Sequence, residues 1–192
     1  MPLGGRGFVT VGAAVACCAL AAACIPEPVP NNTPSPSSAA TTPVETQIER
    51  QMRLDYEAAE NAYKAAVEEQ HRQALLGIAK LTPALKKNAT GAYLDLALRA
   101  LRYAHDRHWR STGSTRILGI IANGWQEQTV RLIACEDSSG VRLIDKEGKD
   151  VTRQKTRTYV QQLTVENVGG RWKVADASTV VVKSFEGQPC AA

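Results

Sequence analysis

The chain has 192 residues, 44% of them hydrophobic, only 5% aromatic, and a formal net charge of +4. That charge is too mild to argue for nucleic acid, and the length is enough for one domain with a real core. With so few aromatics the core must be built mainly from Leu, Ile, Val and Ala, with Trp109, Trp125 and Trp172 as the largest fillers.

The N-terminus carries one cation, Arg6, followed by a small-residue, apolar run of about sixteen residues from Phe8 to Ala23, as in an export signal. The run falls short of the ~20 apolar residues a membrane span needs. It ends at Leu20-Ala21-Ala22-Ala23-Cys24, which resembles a bacterial lipoprotein processing site, although the usual large aliphatic residue three before the cysteine is here Ala21. Ala21-Ala22-Ala23 also satisfies the small-x-small rule of ordinary signal cleavage, which would release a soluble protein starting at an unmodified Cys24. Cysteine arithmetic favours lipidation. Of Cys17, Cys18, Cys24, Cys135 and Cys190, cleavage removes the first two, and a diacylglyceryl thioether on Cys24 leaves Cys135 and Cys190 as an even pair. The expectation is a signal over 1–23, a lipidated Cys24, and anchoring at the extracytoplasmic face of the cell membrane.

From Ile25 to Thr42 the chain is rich in Pro, Ser, Thr and Asn, with Pro26, Pro28, Pro30, Pro34 and Pro36 recurring along it. Such a stretch cannot pack a core and reads as an extended linker over 24–42, reaching roughly 50 Å at ~3.1 Å per residue. A single domain over 43–192 follows.

Thr42, Pro43 and Glu45 together predict a helix start, by capping and by the fixed φ of proline. Val44, Ile48, Met52, Tyr56, Ala59 and Tyr63 then recur at close to 3.6 residues, continuing to Ala74. Glu49 with Arg53, and Glu60 with Lys64, are expected as pairs on its wet side. Gly77 and Pro83 break the pattern, and residues 86–91 read as a turn. A second helix buries Tyr93, Leu94, Leu96, Ala97, Ala100, Leu101 and Ala104, ending before Gly113.

From Thr115 the period changes to two. Strands are predicted over 115–123, 126–136, 141–145, 155–168 and 171–185, with turns at Asn123-Gly124, 137–140, 146–149 and Gly169-Gly170. Gly169-Gly170 suits a two-residue hairpin that needs positive φ, so its flanking strands should pair antiparallel. Helices first and strands afterwards predict an α+β fold, with N-terminal helices packed on a curved antiparallel sheet.

Ala134-Cys135-Glu136-Asp137-Ser138, Gly170-Arg171-Trp172-Lys173-Val174 and Gly187-Gln188-Pro189-Cys190, with the Ser111-Thr112-Gly113 turn, resemble a family of actinobacterial exported proteins and lipoproteins. The family has a nuclear-transport-factor-2-like cone fold and is mostly of unknown function. The resemblance covers roughly residues 42–190 and implies a sheet closed against helices, with a cavity at the wide end; it brings no catalytic residues. Independently of it, a Cys135 and Cys190 bridge would staple the C-terminal tail to a strand end.

Other chemistry is thin. His71, His105 and His108 can be drawn as a metal site, but Arg102, Arg107 and Arg110 around them would repel a cation, so no metal is expected. With Arg99 and Arg116 these arginines read as a solvated face, or as a surface for an acidic partner or anionic lipid headgroups. Nothing calls for a cofactor. Tyr159, Gln161, Leu163 and Val165 share one strand face, and Trp172, Val174 and Asp176 share one face of the next, which makes Tyr159, Gln161 and Asp176 the cavity candidates. A buried Asp176 would suit a base. The run Thr179-Val180-Val181-Val182 instead predicts a register shift that turns Asp176 to solvent. Two readings result: a tethered, non-catalytic binding or scaffold domain for an envelope protein, or a small-molecule binder or acid/base enzyme using the cavity. A cavity lined by convergent polar groups favours the second; a filled cone favours the first.

Overall fold

The chain divides into two units, Met1–Thr42 and Pro43–Ala192, of which the second holds all the described residues. A computed structural model describes residues 45–153, 158–180 and 190. The signal, Cys24, the linker and the Thr42-Pro43-Val44 start lie outside them, as do 155–157 and 181–185 of the expected strands.

Among the described residues three helices precede six strands: α1 (Gln47–Leu76), α2 (Pro83–Asn88), α3 (Gly91–His105), β1 (Arg110–Thr112), β2 (Arg116–Gln126), β3 (Thr129–Asp137), β4 (Arg142–Ile144), β5 (Thr158–Val168) and β6 (Arg171–Val180). The fold is α+β. β2, β3, β5 and β6 form an antiparallel sheet in that order, and the short β1 and β4 pair separately.

α1 begins four residues later than the Thr42 signal, at a second T-x-x-E box. Thr46 Oγ1 accepts from the Glu49 backbone N–H at 3.2 Å, and Glu49 Oε2 accepts from the Thr46 N–H at 2.8 Å. Because Glu49 is committed to the cap, Arg53 pairs instead with Glu45, at 2.9 Å. Glu60 and Lys64 pair as expected, at 2.5 Å. Ile48 is largely exposed, and the buried face starts further along, with Asp55 and then the apolar Ala59, Ala62, Tyr63 and Ala66. These alanines let the helix lie close on the sheet. Gly77 ends α1 at φ 65°.

Pro83 does not merely break a helix; it starts one. Thr82 caps α2, with Pro83 in the first turn, where its missing N–H costs nothing. The junction to α3 is sewn to the sheet, since the Thr90 N–H donates to the Val174 carbonyl at 2.8 Å. α3 buries Tyr93, Ala97 and Leu101, whereas Ala100 is exposed.

β2 runs on through Asn123-Gly124, where the sequence predicts a turn. The pairings Ala122↔Leu132 and Gly124↔Arg131 make Asn123 the extra residue of a bulge, and Leu118 is another. A third bulge falls on β6: Val165 faces Val174 and Thr164 faces Asp176, leaving Ala175 unpaired. Bulges on both edge strands bend and twist the sheet around α1 and α3. The Gly169-Gly170 hairpin has φ of 61° and 77°, and β5 and β6 pair antiparallel across it.

Cys135 and Cys190 form a disulfide with Cα atoms 5.2 Å apart. Among the described residues no helix is long and apolar enough to cross a membrane.

Candidate functional site

Alternation along β3 puts Leu132, Ala134 and Glu136 on the face toward the helices and Cys135 and Asp137 on the other. Glu136 is therefore drawn inward, and only 6% of it is exposed. Its carboxyl closes one wall of a cavity of about 230 Å³ between α1, α3 and the sheet.

Two phenols hold that carboxyl. Tyr63 of α1 donates to Oε1, and Tyr159 of β5 donates to Oε2 at 2.5 Å. Thr115 hydrogen-bonds the Tyr159 phenol in turn. Burial raises the Glu136 pKa above its ordinary value, and the Tyr159 hydrogen bond opposes that rise. Burial also pushes the Tyr159 phenol up, reinforced by the charge of Glu136, and Tyr93 is pushed up to about 12 by burial. Tyr93 donates to Gln70 Oε1 at 3.1 Å. Gln161 Oε1 lies buried in the lining without a hydrogen-bond partner among the described residues.

The next residue has the opposite character. Asp137, on the far face, accepts from Arg116 at 2.5 Å and from the Ser139 N–H and hydroxyl, which lower its pKa to about 2. Asp137 is fixed as an anion, while Glu136 gains protons more readily than an ordinary glutamate.

Two of the three predicted cavity residues, Tyr159 and Gln161, line the cavity. Asp176 does not: it is exposed, because the extra residue Ala175 turns it outward and brings Ala177 to the inward position. The inward carboxylate is instead Glu136, toward which Val130, Leu132 and Ala134 alternate directly along β3. Tyr63, read as a core residue of α1, is its second partner.

His71 lines the cavity, whereas His105 and His108 are exposed at the end of α3. Among the described residues no three of His, Cys, Asp and Glu gather as a metal site. The Arg107 guanidinium stacks 3.6 Å over the Tyr103 ring, which meets Trp109 edge-on. Arg99, Arg102 and Arg110 are exposed.

No family model and no curated protein matches the chain. Among the solved structures that resemble it distantly are the following two. The intermembrane space region of chloroplast protein ARC6 is 15% identical, covering 64% of this chain and 96% of that one with a TM-score of 0.40. Aln2 from a Streptomyces species is 10% identical, covering 69% of this chain and 94% of that one with a TM-score of 0.41. Likenesses this distant carry no argument about the site or its use.

Proposed function

We propose that the protein is an exported lipoprotein, tethered through Cys24 to the outer face of the cytoplasmic membrane, whose domain binds a small molecule in the Glu136 cavity. The observation that carries the reading is the buried Glu136 carboxyl at an open cavity of about 230 Å³ on which Tyr63, Tyr159 and Gln161 converge. A filled cone would instead have favoured a scaffold domain. Pockets of this kind, mostly apolar with a few placed polar groups, are the common form of ligand sites.

The anchor is supported by residues 20–24 and by the cysteines. With Cys135 bonded to Cys190, Cys24 is the odd thiol of a chain cut after Ala23. The resemblance to actinobacterial exported proteins supports the same compartment. A carboxyl of raised pKa also favours acid/base catalysis as a second reading.

The test is a fragment screen followed by protein-observed NMR. Binding should shift the methyls of Leu163 and Ala177, and a screen in which no fragment moves them would contradict the cavity reading. Turnover abolished in Glu136→Gln with binding retained would select catalysis. For the anchor, wild-type protein should fractionate with membranes and Cys24→Ala should release it, since two acyl chains give stable anchoring. Wild-type protein found wholly in the medium would contradict that part.

A further inference from the structure

We propose that the Glu136 cavity selects a small organic ammonium, a protonated amine on a compact apolar body; this rests on the small-molecule reading above. The argument begins with unused acceptors. A carboxylate offers about four lone-pair sites, and Tyr63 and Tyr159 take one on each oxygen, leaving about two. Gln161 Oε1 adds a buried acceptor with no partner among the described residues. A ligand that donates several hydrogen bonds satisfies both.

Charge points the same way. Among the described residues the lining contains neither Lys nor Arg, and its titratable groups besides Glu136 are Tyr63 and His71 from α1, Tyr93 from α3 and Tyr159 from β5. Of the described arginines closest to Glu136, Arg131 is exposed, Arg142 pairs with Asp150, and Arg116 is engaged with Asp137 on the other face of the sheet. A buried carboxylate without a cationic partner is costly, and a bound ammonium supplies the missing charge. Among the described residues of the lining, an anion would meet Glu136 with no compensating cation except a protonated His71.

Val67, Ala74, Leu163 and Ala177 provide the apolar wall for the body of the ligand. A dry cavity of about 150 Å³ accepts benzene, so about 230 Å³ accommodates one ring and an aminomethyl group. Pairing with the ammonium favours ionised Glu136, so binding releases a proton when the pH lies below the raised pKa of the free site, and affinity falls on acidification.

Calorimetry on the full chain in detergent with benzylamine, benzyl alcohol and benzoate separates the outcomes, because the three differ little in size and fully in charge. Benzylamine should bind at least about tenfold tighter than the other two, the strength of a charge-assisted hydrogen bond. Glu136→Gln should remove that advantage while leaving benzyl alcohol within about twofold, and His71→Gln should leave it in place. If Glu136→Gln fails to fold, the fall of wild-type benzylamine affinity on acidification, unaltered in His71→Gln, reads the same carboxyl. Benzyl alcohol or benzoate binding as tightly as benzylamine overturns the ammonium preference but leaves the cavity reading standing. Binding of none of the three overturns both.

Discussion

Glu136 and Tyr159 stand directly opposite each other on β3 and β5, and the Tyr159 hydroxyl donates to Glu136 Oε2 at 2.5 Å. One residue on, Asp137 faces Thr158 on β5 and Arg116 on β2, on the other side of the sheet. A shift of register by one would exchange the two carboxylates, so the β3–β5 pairing is what places an acid inside and an ion pair outside.

The pH dependence of stability should carry the mark of Glu136. Its folded pKa is raised by burial, so its contribution is fully present below the unfolded pKa and is lost as pH rises through the folded one. Glu136→Gln, which has no proton to lose, should gain melting temperature relative to wild type as pH rises from 4 through neutrality. Parallel melting curves across that range would contradict the assignment.

Glu69 should act in the opposite direction. It accepts from Arg72 at 2.7 and 2.8 Å, from Thr82 Oγ1 at 2.6 Å and from Gln73 Nε2 at 2.9 Å, and its pKa is lowered to about 2, chiefly by Arg72. Its contribution is present above the unfolded pKa and lost as pH falls toward 2. Thr82→Ala removes one of these bonds and the α2 cap, and should cost about 1 kcal/mol, or about 3 °C of melting temperature. A change under about 1 °C would show the network to be slack.

The α+β class was legible in the change of period near Thr115, and the β5–β6 hairpin in Gly169-Gly170. Harder to read were places where the same signal serves two structures. Thr42 and Thr46 each head a T-x-x-E box, and only Thr46 caps the described α1. Asn123-Gly124 has turn chemistry, yet a bulge uses it just as well. The three-residue β1 was too short to show a period. The Ala175 bulge is visible only as a conflict between the pattern around Asp176 and that around Val180, and it decides which residue reaches the cavity. Glu136 was legible as the inward continuation of Val130, Leu132 and Ala134, but a charge at the end of a strand is more often solvated than buried.

Gly113 is irreplaceable for a steric reason. It sits at φ 72°, and a Cβ there would overlap the Gly140 carbonyl oxygen. Gly148, at φ 83° with nothing near, would suffer only the backbone strain. Gly148→Ala should cost about 1 kcal/mol and Gly113→Ala at least about 2 kcal/mol more, measured by urea unfolding. Equal costs would mean that the β1–β2 turn does not lie against Gly140.

The Cys135–Cys190 bond closes a separation of 55 residues. On the chain-entropy account Cys190→Ser should cost about 4 kcal/mol, or about 10 °C. Peptide mapping without reduction should recover the linked pair. Alkylation of both thiols in the native, unreduced protein would contradict it.

The claim that Glu136 opens on a ligand site is tested most directly by filling the space. Ala177 lines the cavity, and Ala177→Phe should occupy much of its volume. Fragments that shift Leu163 in the wild type should then lose binding by at least about tenfold, while the variant stays folded with its Tyr159 and Glu136 contact intact. Undiminished binding to the filled variant would contradict the account, because the ligand would have to sit elsewhere.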